Sequence, residues 1–230
     1  MENQKRVRGR LSREVLVAAA LEIADREGLE ALSMRRLGAE LGVDPTAAYR
    51  HFPDKKTLLA GVVEAVLTGA DVETDPAAPW QDQFREVALA YRRALLAHSP
   101  AVARLAATTP LNSLESLRIV EHAVAVLAAA DVPLPEAVAA MQAVGQLTTG
   151  SVLLEAFWRE WVASGGEVHL SPPMLPHPEL PVLSSAPAED FLSPEQVFEF
   201  GLAAVVGGLE GRSGGEADDS LGMRAARRPT

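Results

Sequence analysis

Apolar residues recur along the chain at the three- and four-residue spacing of an α-helix, and the alternation typical of half-buried strands is missing. The first apolar face carries Leu16, Ala19, Ala20, Ile23 and Ala24. Ser12 precedes this face, where it can cap a helix, and Gly28 follows it, where it can end one. The spacing therefore predicts a first helix between these two residues and an all-α protein.

The next two predicted helices are short and follow each other closely. Ser33 can cap a second helix that ends at Gly42. Asp44 can then cap a third helix, and Pro45 suits its first position, where the missing N–H loses no hydrogen bond. Because the residue before a proline disfavours helical geometry, Pro53 predicts that the third helix ends one residue earlier.

The remainder of the chain predicts one further short helix and then longer ones. Asp54 can cap the fourth helix, and the acidic, proline-containing residues 71–79 predict a linker. Further helices are predicted at residues 80–98, 100–107, 113–130, 134–161 and 194–210, with a long loop at 164–192. The domain prediction is a basic flexible arm at 1–11, a first domain at 12–70, the linker, a second domain at 80–210 and a disordered tail at 211–230.

Composition excludes several classes of protein. The chain has no cysteine, so it has no disulfide, thiol nucleophile or cysteine-based zinc site. No signal peptide is recognisable, and no apolar run approaches the roughly 18 residues needed to cross a bilayer. The net charge is −10, but residues 1–56 carry +2 and residues 57–230 carry −12. We expect a cytoplasmic protein without a membrane segment. The positive charge of its first 56 residues, compared with the negative charge of the rest, is typical of a nucleic-acid-binding segment.

The two short helices joined at a glycine turn predict a helix-turn-helix. Gly38 suits a close helix crossing, and Leu37 and Phe52 can pack the pair. The side chains left outside are Thr46, Ala47, Tyr49, Arg50 and His51. Arg and Thr can contact base edges, whereas Tyr, His and the Lys55 that begins the fourth helix can contact phosphates. The sequence predicts a recognition helix for the DNA major groove.

Residues 12–58 resemble the DNA-binding domain of the TetR family of transcriptional repressors. The resemblance lies in LEIADREGLEALSMRRLGAELGV and in the Tyr-Arg-His-Phe-Pro-Asp-Lys-Lys run. It implies phosphate contacts from Tyr49, His51 and Lys55. It also implies base contacts from Arg35, Pro45, Thr46 and Ala47.

Residues 80–157 resemble the tetracycline-repressor-like C-terminal class. The matching features are Trp80, the Tyr91-Arg92 pair, Leu-Leu-Ala-His at 95–98 and GQLTTGSVLLEAF at 145–157. The resemblance implies a ligand-binding and dimerisation domain, a homodimer, a palindromic double-stranded DNA operator and an unidentified small-molecule effector. The long helix and the last helix are expected to pair with their mates across a two-fold axis.

Polar residues interrupt the apolar positions of the long helix, and they either face solvent or belong to a ligand pocket that is mostly apolar with a few orienting groups. The candidate ligand-binding residues are Phe84, His98, Arg104, Gln142, Gln146, Thr149, Glu155 and Trp158. Gly145 and Gly150 inside the helix suggest close approach by another helix or by a ligand. The histidines show no metal-ligand spacing, so neither a metal nor a cofactor is predicted.

Two other functions stay open on the sequence alone. The chain could be a small-molecule-binding helical dimer whose helix-turn-helix only packs, or an enzyme built on a helical bundle. The sequence contains no nucleophile–base pairing, phosphate loop or metal motif, so an enzyme is not predicted. The basic arm is either a plain tail or a minor-groove contact. A ligand-responsive DNA-binding repressor is the predicted function.

Overall fold

The computed structural model describes residues 11–110, 113–167 and 176–211, and this part of the chain is helical without a strand. Four helices form its first part: α1 (Arg13–Glu27), α2 (Met34–Leu41), α3 (Pro45–Tyr49) and α4 (Lys55–Thr68). The predicted caps are confirmed, since the side chains of Ser12, Ser33 and Asp54 each accept a hydrogen bond from a first-turn N–H. The predicted all-α class is therefore confirmed.

Six helices form the second part. They are α5 (Trp80–Leu96), α6 (Pro100–Thr108), α7 (Leu114–Ala129), α8 (Leu134–Ala163), α9 (Pro181–Ser184) and α10 (Pro194–Glu210), with a 3₁₀ turn at Ala188–Asp190. Helices α5 to α8 and α10 begin and end within about two residues of the predicted limits. The loop predicted at 164–192 contains α9 and the 3₁₀ turn. Residues 1–10 of the predicted arm, residues 212–230 of the predicted tail, and residues 111–112 and 168–175 lie outside the described residues.

The recognition helix α3 is shorter than predicted. Its last residue is Tyr49, and Arg50 keeps helical angles as the C-cap. The N–H groups of His51 and Phe52 both donate to the carbonyl of Ala48 at 3.0 Å, which closes the helix in a tight turn. Phe52 is fully buried in the core. The helix ends before Pro53 because the buried Phe52 side chain and the proline after it fix the direction of the backbone.

The buried residues form three clusters. The first lies among α1 to α4 and centres on Leu16, Ile23, Leu37, Phe52 and Leu58. The second lies among α5, α7, α8 and α10 and includes Phe84, Leu127, Val144, Phe198 and Leu202. The third joins the two parts through Ala24, Val63, Val66, Leu95, Val102, Ala106 and Val152. The two parts of the protein are therefore joined by a packed apolar junction.

A buried arginine fixes α5 against α8 and α10. Arg92 is only 8% exposed, and its Nε donates to the Ser151 hydroxyl at 3.2 Å. Its guanidinium pairs with Glu155 and lies 5.4 Å from the centre of the Phe198 ring. The Ser151 hydroxyl donates in turn to the Pro194 carbonyl at the start of α10. This network satisfies the buried charge.

Helix α8 is the one helix of the described chain that is long and apolar enough to span a membrane. The core helices of water-soluble proteins pass the same test of length and composition. Here α8 packs against α5, α6, α7 and α10. These contacts account for the apolar residues on the inner face of α8, and 33% of its most apolar stretch is buried.

Candidate DNA-binding surface and ligand cavity

The junction of α2 and α3 requires two glycines, Gly38 inside α2 and Gly42 in the turn. Gly42 has a φ of +64°, a left-handed conformation that residues with a side chain rarely adopt. A Cβ on Gly38 would lie 2.9 Å from the Val43 carbonyl oxygen and 3.2 Å from the Pro45 nitrogen. The close crossing predicted at Gly38 is therefore confirmed. It places the start of α3 directly against α2.

The start of α3 is fixed by Asp44 and Thr46. The Asp44 carboxylate accepts the Thr46 N–H at 2.8 Å and the Thr46 hydroxyl at 2.6 Å. These hydrogen bonds from Thr46, side chain first, lower the pKa of Asp44. Because its proton is already donated, the Thr46 hydroxyl can offer only an acceptor and its methyl group to a base edge. Thr46 remains a candidate base contact with that restricted chemistry.

Half of the eight predicted DNA-contacting side chains are exposed, and the other half are half-buried. Tyr49 is 52% exposed, and Arg50 and Thr46 are also exposed. The remaining predicted contacts on α3 and the turn after it, Pro45, Ala47 and His51, are half-buried. An exposed tyrosine on a helix this short contributes little to the core. Its position suits a contact with another molecule.

The two neighbouring arginines of α2 differ in their partners. Arg36 pairs with Glu27 at 2.7 Å and with Glu40 at 2.6 Å. Arg26 joins the same cluster, and hydrogen bonds from Arg36 and then Arg26 lower the pKa of Glu27 to about 2. Arg35 is exposed and forms no hydrogen bond or ion pair with any residue of the described chain. Arg36 therefore ties α2 to α1, whereas Arg35 remains available to a partner.

Lys55 is the first residue of α4, the helix that follows the recognition helix in the chain. Its Nζ donates to the Leu29 carbonyl at 2.9 Å, and the side chain is half-buried. The neighbouring Lys56 is exposed. Lys55 therefore has a structural role that sequence reasoning missed, since it ties α4 to the turn between α1 and α2. Its ammonium carries two further protons that can reach a phosphate.

Arg13 is a further cation beside α3 that the sequence did not indicate. Its guanidinium lies 4.3 Å from the centre of the Phe52 ring, and its Nη1 donates to the His51 carbonyl at 3.4 Å. This position became apparent only from the tertiary contact between the start of α1 and the turn that follows α3. Arg13 brings positive charge to the edge of the candidate DNA surface.

A cavity of about 960 Å³ lies between α5, α7, α8 and the end of α6 with the segment that follows it. Its walls are Phe84, Val87, Ala88, Tyr91, Ala107, Thr108, Thr109, Pro110, Ile119, Val120, Ala123, Met141, Gln142, Val144, Gly145, Gln146, Thr148, Thr149, Gly150 and Leu153. This volume suits a drug-sized ligand. Four of the eight residues predicted from the sequence are among them, namely Phe84, Gln142, Gln146 and Thr149.

The other four predicted residues lie outside the cavity. Arg104 pairs with Glu160 at 2.6 Å, and Glu155 pairs with Arg92. His98 contacts Asp25 of α1, with 2.8 Å between Nδ1 and Oδ2. Trp158 is half-buried on α8 but does not line the cavity. Ionisable side chains are poor guides to this site because each of these three pairs with another ionisable side chain elsewhere.

Tyr91 is a cavity residue that was not among the predicted ligand contacts. It lies seven residues after Phe84, on the same face of α5, and this spacing was the available signal. Burial raises the pKa of its phenol. The Tyr91 hydroxyl has no hydrogen-bond partner within the described residues. It is therefore a neutral donor and acceptor at the cavity wall.

A second cavity of about 390 Å³ lies between the two parts of the protein. The α4 side chains of Leu59, Val63 and Leu67 form one wall, and Leu105 of α6 forms part of the other. Thr109 and Pro110 line both cavities. The segment that follows α6 therefore lies between the larger cavity and α4, which begins at Lys55.

The outer faces of α8 and α10 expose large apolar side chains. Phe157, Trp161 and Phe200 are 55%, 49% and 70% exposed, and the Phe157 and Trp161 rings stack with centres 6.4 Å apart. Val197, Ala203, Ala204 and Gly207 continue the exposed face of α10. An apolar face across two helices is typical of an interface with another chain.

Comparisons with known proteins agree with this arrangement. Residues 16–62 match the tetR family of bacterial regulatory proteins, and residues 74–212 match the tetracyclin repressor-like C-terminal domain. The tetracycline repressor protein class C of Escherichia coli is 31% identical over 204 residues, which cover 87% of this chain and 91% of the repressor.

Two solved structures show the same architecture. The TetR family protein ActR of Streptomyces coelicolor, in complex with (S)-DNPA, has a TM-score of 0.73 and 28% identity, covering 87% of this chain and 98% of ActR. BioQ with its natural double-stranded DNA operator has a TM-score of 0.61 and 28% identity, covering 87% of this chain and 98% of BioQ. The chain therefore belongs to the TetR family of ligand-responsive, DNA-binding transcriptional regulators.

Proposed function

We propose that this chain is a homodimeric repressor that binds a palindromic operator and is released from it by a small molecule. The observation that supports this most directly is the exposure of Tyr49, Arg50 and Arg35 on a tightly capped helix-turn-helix. Arg35, Arg50, Pro45, Thr46 and Ala47 face base edges in this proposal. Tyr49, His51 and Lys55 bind the phosphates that set the register of the protein on DNA.

The dimer forms through the exposed apolar faces of α8 and α10, which build a four-helix bundle with their mates. Such an interface buries Phe157, Trp161 and Phe200, each of which is exposed in the single chain. The two-fold axis repeats the recognition helix. Two half-sites about 34–36 Å apart, or a multiple of this distance, then require an operator with matching two-fold symmetry.

Ligand control acts through the segment shared by the two cavities. A molecule in the larger cavity contacts Thr109 and Pro110, and the same residues face α4 across the smaller cavity. Displacement of α4 moves Lys55 and the recognition helix that packs beside it. The ligand shifts the conformational equilibrium only as far as its affinity differs between the DNA-bound and released forms.

The domain limits are part of the proposal. Residues 12–70 form the DNA-binding domain, residues 71–79 the linker and residues 80–210 the regulatory and dimerisation domain. The separate buried clusters of α1–α4 and of α5, α7, α8 and α10 support this division. The protein acts in the cytoplasm, where its operator lies, and it regulates transcription without catalysing a reaction.

Selection of bound fragments from random duplex DNA tests the proposal with the full-length chain. We expect enrichment of an inverted repeat and loss of its binding in Tyr49→Ala. Glu22→Ala, on the exposed face of α1, is the matched control and should retain binding. Failure to enrich any sequence, by a folded and dimeric sample, would support a ligand-binding dimer without DNA-binding activity instead.

A further inference from the structure

We propose that the ligand of the larger cavity is an uncharged, largely apolar molecule whose polar groups bind Gln142, Gln146 and Tyr91. This inference rests on the proposed function, because it names the ligand class of the regulatory cavity. It depends on three properties of the described walls: their charge, their free hydrogen-bonding groups and the space left by Gly145.

The cavity walls supply no charge to a bound ion. Across the described lining, Tyr91 is the one ionisable side chain, and burial raises its pKa so that it stays neutral. Two cations on the adjoining helices are paired away from the cavity, Arg104 with Glu160 and Arg92 with Glu155. An ionic ligand would lose its hydration without gaining a partner, whereas an uncharged molecule avoids this loss.

The available hydrogen-bonding groups are amides and one phenol. The Thr148 hydroxyl donates to the Val144 carbonyl at 2.8 Å, and the Thr109 hydroxyl donates to the Leu105 carbonyl at 2.7 Å. These threonines therefore keep only acceptor lone pairs for a ligand.

By contrast, the side chains of Gln142, Gln146 and Tyr91 make no hydrogen bond within the described part of the protein. Each of these three groups can both donate and accept. All three line the cavity: the two glutamines lie on α8, where they are exposed, and the half-buried tyrosine lies on α5. Neutral carbonyl, hydroxyl or amide groups on a ligand are the matching partners.

Gly145 provides an independent indication of a ligand. A glycine in a helix interior weakens the helix relative to alanine, so it is usually explained by a neighbour that packs closely against the backbone. A Cβ at Gly145 would meet no atom of the described protein within 4 Å. Close packing against another described helix therefore does not explain this glycine. Gly145 lines the cavity, so the missing side chain leaves the backbone of α8 open to a ligand.

Three anthracene probes of matched shape test the charge preference at pH 7.5. They are anthracene-2-carboxamide, anthracene-2-carboxylate and 2-(aminomethyl)anthracene, which are neutral, anionic and cationic. Titration of the full-length dimer, followed by probe fluorescence and by calorimetry, gives each Kd. We expect saturable binding of the carboxamide with a Kd at least tenfold lower than that of either charged probe.

Two variants connect this preference to the cavity. Gly145→Leu fills the open space and should raise the Kd of the carboxamide at least tenfold, whereas Ala128→Leu on the exposed face of α7 should leave it unchanged. Gln146→Lys places a cation at the cavity wall. It should lower the ratio of the carboxylate Kd to the carboxamide Kd at least tenfold. Gln146→Met has a similar length without a charge, and should still prefer the carboxamide to both ions.

Three results would overturn the ligand class. They are no saturable binding of the carboxamide, equal or tighter binding of a charged probe, and carboxamide binding that Gly145→Leu leaves unchanged. Operator binding by the probe-free protein is measured in parallel. Its absence refutes the proposed function itself, whereas intact operator binding with the wrong probe preference refutes only the ligand class.

Discussion

His98, in the turn between α5 and α6, bonds directly to Asp25 of α1, with 2.8 Å between the imidazole Nδ1 and the carboxylate Oδ2. The other oxygen of the same carboxylate accepts the Ser99 N–H at 2.7 Å. A single side chain of the DNA-binding part therefore holds the start of α6 through two hydrogen bonds. Together with the apolar junction cluster, this contact orients the recognition helix relative to the ligand cavity.

Removal of the Asp25 carboxylate should weaken this junction. We expect Asp25→Ala to lower the free energy of unfolding by about 1–2 kcal/mol, because two hydrogen bonds to a partly exposed acceptor are lost. Urea unfolding measures the change. Asp25→Asn keeps an acceptor for the Ser99 N–H and should lose less, while Glu22→Ala on the exposed face of α1 should change little. Equal stability of Asp25→Ala and the parent protein would show that the contact is not stabilising.

Lys55 is expected to contribute a phosphate contact in addition to its bond to Leu29. Lys55→Ala should weaken binding to all DNA sequences and reduce the slope of log affinity against log salt by about 1. A salt titration of operator and non-operator DNA measures both effects. Lys56→Ala is the neighbouring control. An unchanged slope in Lys55→Ala would leave this residue with only its structural role.

Arg50 is expected to contact a base edge. Arg50→Ala should relax the preference at one position of each half-site by about 1–3 kcal/mol and leave the other positions unchanged. Competition among operators with single base changes separates these effects. A uniform loss at every position would instead assign Arg50 to the phosphate backbone.

Phe200 is expected to lie at the centre of the dimer contact, because its side chain is 70% exposed on an apolar face of α10. Phe200→Glu should dissociate the dimer, since the substitution buries an unpaired carboxylate at the interface. Sedimentation velocity across a range of concentrations measures the dissociation constant. Val182→Glu, at an exposed residue of α9, is the control and should stay dimeric. Dimers of unchanged affinity in Phe200→Glu would place the interface elsewhere.

Low pH should weaken the ion pair between Glu27 of α1 and Arg36 of α2. Hydrogen bonds from Arg36 and Arg26 hold the pKa of Glu27 at about 2, below its usual 4.5. A lowered pKa means that the carboxylate stabilises the fold above about pH 4.5 and loses this effect as the pH falls towards 2. As the pH falls over this range, the free energy of unfolding of Glu27→Gln should therefore decrease less than that of the parent protein. Glu22→Gln should retain the parental decline, measured by urea unfolding at each pH.

The limits of the sequence prediction are visible in individual residues. Ser12, Ser33 and Asp54 cap helices through hydrogen bonds to N–H groups three residues away, so their sequence context was sufficient. Arg104 and Glu155 were predicted at the ligand site, but each pairs with a charged residue that packing brings near. A pairing between distant helices leaves no signature in the local sequence.

The sequence by itself determined the helices, their caps, the glycine turn and the family, because each depends on short-range spacing or on a linear motif. Only the tertiary structure decided which side chains remain free. It assigned Arg36 to an ion-pair cluster and left Arg35 exposed, bound Lys55 to the Leu29 carbonyl, and opened an uncharged cavity beside Gly145. The reason is physical: the availability of a side chain depends on the neighbours that packing supplies, and these neighbours come from distant parts of the chain.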